Sequence, residues 1–282
     1  MHVVKMHGLG NDFIVLTDED TPLPSSSDVV ALCDRHRGVG ADGVIRIARN
    51  GPAALQMEYR NADGSYAETC GNGLRCVAAL AHHRGWVPAR HVIHDGAGAH
   101  EVDVRHGEWP EWRVEVDMGA PSFEARTLPP GDGPRRVLPL ANGDVEVAVV
   151  SLGNPHAIAA VGDVDAFPLA DFARAIRATG AFPDGVNVEV VARVGAAVVA
   201  RVDERGVGET AASGSGGCAA RIGAVVLLDA PREGDVLLPG GSLFVRWDER
   251  VSQTGPAAAV FEADLASRRG AHVGAGGEGS SS

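Results

Sequence analysis

Two stretches of this chain put a small nucleophilic side chain directly before a Gly-x-Gly. Cys70 precedes Gly71-Asn72-Gly73, and Ser213 precedes Gly214-Ser215-Gly216. An apolar run follows each, LRCVAALAHH after the first and CAARIGAVVLL from Cys218 after the second, so each Gly-x-Gly is expected to open a helix. A helix N-terminus presents unpaired backbone N–H groups and the positive end of the dipole, and both favour an anion. Two uses follow for the first stretch. The amides could bind a substrate carboxylate, and Cys70 could act as a thiolate base, because a free thiol of pKa about 8.5 is lowered at a helix N-terminus. An inert buried cysteine is the competing reading of the spacing alone. Ser213, taken alone, reads as an N-cap. Its hydroxyl exchanges protons with carbon poorly unless another base activates it.

The two stretches echo each other. Glu68-Thr69 precedes Cys70, Glu209-Thr210 lies just before Ser213, and the two motifs are roughly half the chain apart. Two similar halves facing each other across a cleft would produce this pattern. The halves are expected at about 1–119, carrying Cys70, and 120–265, carrying Ser213, with a last strand that packs back on the first half.

Further polar residues cluster at strand ends. Asn11, Asn61, Asn154 and Asn187 each sit beside a turn, where Asn is an ordinary structural residue. Together they offer amide donors and acceptors to a zwitterion. His156 could orient an acid/base group or simply satisfy a loop carbonyl. Glu204-Arg205 end a strand just before the Ser213 loop. Arg205 could grip a carboxylate in bidentate fashion, and a surface ion pair is the plainer reading.

The elements that must position these residues are short. VVKMHG, GVIRIAR, WRVEVDMG, VEVAVVSLG and VNVEVVARV read as strands bounded by Gly, Asp and Asn turns. Helices are expected at about Ser27–Arg37 with a Ser N-cap and Gly38 as C-cap, from Gly71 to Gly85, over Leu169–Ala178, and from Gly214 through the following apolar run. Cys33, Cys76 and Cys218 fall inside such runs and read as core. The stretch after about Ala266 is Gly/Ser-rich and is expected to be a disordered tail.

Composition narrows the function. With 37 acidic against 25 basic residues the formal net charge is -12, which argues against a nucleic-acid or anionic-membrane surface. No apolar stretch is long enough to span a bilayer. MHVVKMHGLGNDF has no continuous apolar core of a signal peptide, so a cytoplasmic location and free thiols are expected for the four cysteines. No His-plus-Cys spacing suggests a metal site.

Taken together, HGLGNDF (7–13), GVGADG (38–43), YRNADGSYAETCGNGLRC (59–76), VDMG (116–119), LGNPH (152–156), PDGVNVE (183–189) and ERGVGET with SGSG (204–216) resemble the diaminopimelate epimerase family. The blocks cover nearly the whole chain. The resemblance implies an α/β (α+β) fold of two similar domains, each a curved barrel-like sheet around a central helix, with the active site between them. It implies no metal and no cofactor, a free amino acid as substrate, and a possible homodimer. It places a catalytic Cys at Cys70. It assigns the reacting carboxylate to Gly71-Asn72 and Gly214-Ser215, and the distal end to Asn61, Asn154, Asn187, Glu204 and Arg205. Asn11 lines the site, and His156 with Glu204 assists at the reacting carbon. One position departs from the pattern: where the family has its second catalytic cysteine, this chain has Ser213. Epimerisation of L,L-diaminopimelate, a one-base racemisation or β-elimination on another amino acid, and simple amino-acid binding all remain open at this point.

Overall fold

The computed structural model describes residues 1–18, 21–67 and 69–265. The first half begins with β1 (His2–Gly8), β2 (Asn11–Leu16), α1 (Ser26–Cys33), β3 (Gly43–Arg49) and β4 (Ala54–Asn61). It continues through α2 (Gly71–His83), β5 (Arg90–Asp95), β6 (Gly98–Glu108) and β7 (Glu111–Gly119). The second half holds β8 (Arg135–Leu140), β9 (Gly143–Ser151), β10 (Pro155–Ala160), α3 (Leu169–Ala178), β11 (Asn187–Val194) and β12 (Ala197–Glu204). After it come β13 (Gly208–Thr210), α4 (Gly214–Leu228), β14 (Glu233–Leu238), β15 (Gly241–Trp247) and the long β16 (Val251–Asp264).

Strands β1 to β7 follow one another in space, and β16 pairs with both β7 and β1, so eight strands close into a barrel. From β16 the sheet runs on through β15, β14, β12, β11, β10, β9 and β8 as an open, curved sheet. β16 serves both sheets through its two edges: one pairs with β7 over Val251–Ala258, and the other pairs first with β15 over Val251–Thr254 and then with β1 over Ala258–Asp264.

A helix runs through each half. α2 touches β1, β2, β5, β6, β7 and β16, and α4 touches β9 to β12 and β14 to β16. Every residue from Gly71 to Ala81 is buried, as a helix enclosed on all sides requires. Leu74 and Val77 of α2 share one apolar core with Ala219 of α4 and Val202 of β12, so the halves are joined through their interiors. Cys76 and Cys218 belong to that core, and Cys33 to a smaller one beneath α1.

α1 is shorter than expected and starts earlier. The Ser N-cap is Ser25, and the helix stops at Cys33, a turn short of Arg37. The Asp34 carboxylate accepts the backbone N–H groups of His36 and Arg37, at 2.8 and 2.9 Å, and captures the amides that would have continued the helix. Gly38 is therefore in a turn that folds back on α1, not at its C-cap. The Gly/Ser-rich stretch after Ala266 lies outside the described residues. Among the described residues no helix is long and apolar enough to cross a membrane.

Candidate active site

Cys70 and Ser213 are the N-caps of α2 and α4. The Cys70 Sγ accepts the N–H of Gly73 at 3.4 Å, and the Ser213 Oγ accepts the N–H of Gly216 at 3.1 Å. The two helices meet end to end. A Cβ on Gly214 would lie 2.9 Å from the Gly71 Cα, and one on Gly71 would lie 3.2 Å from the Gly214 Cα. The first glycine of each motif thus lets two backbones touch, which brings the two caps to one seam. We expect Gly214→Ala to lower the stability by about 1–3 kcal/mol, since the added methyl meets backbone and the buried Gln253 amide. Urea denaturation checks this, and an unchanged midpoint would mean that the helix ends are not in contact.

The seam is laced by amides. Asn72 donates to the Asn11 Oδ1 at 3.0 Å and to the Ala212 carbonyl at 3.2 Å, so it ties α2 to β2 and to the residue before Ser213. Asn11 in turn donates to Asp42 at 2.9 Å, and its Oδ1 lies 3.9 Å from the Cys70 Sγ. Beneath it, Lys5 and Arg35 both bond Asp12. Burial opposes ionisation of Asp12, but those two cations outweigh it and hold its carboxyl well below the usual range. Asn11 therefore projects from a fixed ionic base.

The second half supplies a buried acid–imidazole pair. His156 Nδ1 lies 2.7 Å from Glu189 Oε1, and both side chains are fully buried. His156 Nε2 lies 2.9 Å from Asn154 Oδ1, while the Asn154 amide donates to Ser215 Oγ at 3.3 Å. Both ring nitrogens face oxygens. With the Asn154 amide so oriented, the pair carries a proton at each contact: imidazolium opposite carboxylate, or imidazole opposite carboxylic acid. Burial pushes the Glu189 carboxyl up, against the pull of His156.

Glu204 is also raised by burial, opposed by the Thr210 hydroxyl that donates to it at 2.7 Å. A charge on Glu204 opposes ionisation of Cys70. Asn187 is buried. It accepts the Arg205 backbone N–H at 2.8 Å and donates to the Pro155 carbonyl at 3.3 Å, so its amide holds neighbouring strand ends together. Arg205 reaches the Asp184 carbonyl at 2.6 Å. Asn61 donates to Ser65 at 3.0 Å. Asn61 and Arg205 bond loop atoms and make no ion pair with an acidic residue among those described.

The thiol corrects one expectation. Burial pushes Cys70 up to about 12, and the Gly73 amide that accompanies the helix N-terminus does not offset it. In this half-buried seam desolvation of the thiolate exceeds the pull of one turn of amides. The sequence reading also passed over Arg75, Glu189 and Gln253, all fully buried polar side chains here. Arg75 and Glu189 carried a visible signal: each is a charge inside an otherwise apolar run, LRCVAAL and VNVEVV.

Two small polar caps, Cys70 and Ser213, thus stand at helix N-termini that meet end to end, one from each half of the chain. Comparison with known proteins gives the class. The diaminopimelate epimerase family model matches residues 3–124 and 148–260. A diaminopimelate epimerase from Xanthomonas euvesicatoria is 43% identical over 279 residues, covering 94% of this chain and 96% of its own. An O-ureido-serine racemase from Streptomyces lavendulae is 42% identical over 274 residues, covering 92% and 93%. A probable proline racemase from Agrobacterium radiobacter shares the fold at a TM-score of 0.66 with 14% identity, over 94% of this chain and 92% of that one. The chain belongs to the diaminopimelate epimerase family, and it is an isomerase of the epimerase and racemase class.

Proposed function

We propose that this chain acts without a cofactor on the α-carbon of a free amino acid, converting L,L-diaminopimelate to the meso form. The observation that carries the reading is the abutment of the Cys70 and Ser213 caps through Gly71 and Gly214. The substrate's reacting carboxylate lies against the amides of Gly71, Asn72, Gly214 and Ser215, where helix dipoles favour it. The Cys70 thiolate takes the α-proton and becomes the thiol, and the electron pair stays on the carbon as a carbanion. The Ser213 hydroxyl gives a proton to the opposite face and is left as an alkoxide; before the next turnover the Cys70 thiol loses its proton to water and the alkoxide takes one from water, which restores thiolate and hydroxyl. His156 and Glu204 flank the carbon as proton-bearing groups. Asn61, Asn154, Asn187 and Arg205 face the distal amino-acid end.

Ser213 supports a second reading. A hydroxyl that already accepts the Gly216 amide is a weak acid toward carbon. Proton removal by Cys70 alone then suits racemisation or β-elimination of a β-substituted amino acid, and one relative is named for such a substrate. Incubation in deuterium oxide separates the readings. With L,L-diaminopimelate, α-deuterium should appear, and the meso product should follow more slowly than exchange. Release of ammonia and a keto acid from a β-substituted amino acid, with no exchange into diaminopimelate, would replace the first reading by the second. Binding with no exchange in either substrate would sink both.

A further inference from the structure

Arg75 lies one turn into α2 and is fully buried. Among the described residues no carboxylate pairs with it. Its donors are met by neutral oxygens: Nε by the Pro256 carbonyl at 3.1 Å, Nη1 by Gln253 Oε1 at 2.9 Å and Nη2 by Asn72 Oδ1 at 2.6 Å. Two glycines make room for it. A Cβ on Gly8 would sit 2.8 Å from Nη2, and one on Gly255 would sit 3.0 Å from Nε. The fold thus builds a slot for a guanidinium and gives it no counter-charge.

A buried cation held only by neutral acceptors is unfavourable, and an anion nearby offsets that cost. Titratable groups that couple to it include Cys70 and Cys76 on its own helix, Cys218 from α4 and Arg113 from β7. Cys76 and Cys218 are sealed in the core. Cys70 is half-buried, with Asn11 Oδ1 of β2 3.9 Å from its Sγ, and Glu204 of β12 and Tyr59 of β4 lie near enough to couple to it electrostatically. Glu204 opposes a thiolate at Cys70 and Arg75 favours one, and the guanidinium lies against the first turn of the helix that Cys70 caps, donating to the Gly71 carbonyl at 3.5 Å and to Asn72 Oδ1 at 2.6 Å.

We propose that Arg75 is a positioning residue of this site: its unpaired charge favours the Cys70 thiolate, and its bond to Asn72 holds the amide that ties Asn11 and the Ala212 carbonyl across the seam. The inference rests on the reading of Cys70 as the base. It explains why Asn72 accepts with one end and donates to both halves with the other.

The test is the rate of iodoacetamide alkylation of Cys70 against pH, followed by peptide mass on the full chain. Arg75→Met should slow alkylation about tenfold or more at pH 8–9, equivalent to a rise of about one pKa unit. Gln253→Glu should do the same by supplying the missing counter-charge while keeping the guanidinium in its slot. Arg75→Lys should keep alkylation within about threefold of the parent while lowering turnover, since a compact ammonium keeps the charge but not the fork that meets Asn72. A folded Arg75→Met or Gln253→Glu protein with the parent's alkylation profile would overturn the proposal. Should Arg75→Met fail to fold, Gln253→Glu decides alone. If alkylated Cys70 still turned over substrate, the base assignment would fall instead, and the alkylation profiles would still report on Arg75.

Discussion

Ser213→Cys is expected to raise the rate of inversion at the α-carbon by about 10²–10⁴-fold, the range a well-matched acid or base contributes. The reason lies in ionisation. A serine hydroxyl donates a proton to carbon only by becoming an alkoxide, whereas a thiol becomes a far more stable thiolate. Geometry favours the exchange. Ser213 is the N-cap of α4 and accepts the Gly216 N–H, as Cys70 accepts the Gly73 N–H on α2, and at 4% exposure it is more deeply buried than Cys70. A sulfur there inherits the same amide and the same seam. The gain should fall on inversion and not on substrate affinity, because the carboxylate-binding amides are untouched. Chiral separation of diaminopimelate isomers over time measures the first, and calorimetric titration the second. A variant that folds yet inverts no faster would show that the second face of the carbon does not meet residue 213.

Cys70→Ser should abolish α-deuterium exchange, by at least about 10³-fold, while leaving the fold intact. Serine is a better N-cap than cysteine, so α2 keeps its first turn and the Gly73 amide keeps an acceptor. Thermal unfolding should move little, which separates lost chemistry from lost structure. Retained exchange in this variant would remove the sulfur from the mechanism. The pH profile of the parent carries the complementary sign. Burial raises the thiol to about 12, so the neutral thiol dominates near pH 7 and free-protein alkylation should climb with pH through 8–10 without a plateau. A plateau below pH 8 would mean that the helix terminus prevails over desolvation.

These two substitutions bracket the asymmetry of the site. The scaffold treats its two caps alike, with matched Gly-x-Gly motifs, matched amide bonds and glycines in mutual contact. At the cap itself the two differ in one atom, sulfur at Cys70 and oxygen at Ser213. On the proposed mechanism, sulfur at one cap and oxygen at the other would make proton removal and proton return unequal in rate.

Much of this is legible in the residues alone. Cys70 and Ser213 as helix caps, the starts of α2 and α4, and the α3 span followed from Gly-x-Gly before an apolar run and from amphipathic spacing. Such features are local: a cap, a dipole and a hydrophobic period are set by neighbours a few positions away. The misplaced end of α1 was local too, but it hinged on Asp34 choosing the amides of His36 and Arg37, a contest that propensity alone does not resolve. The contact of Gly71 with Gly214, the Arg75 slot between Gly8 and Gly255, the Glu189–His156 pair and the raised Cys70 thiol were not legible. Each depends on groups brought together from distant parts of the chain, and on how much water that meeting excludes. Burial is a property of the assembled interior, and here it reversed the direction in which a helix terminus alone would move the thiol.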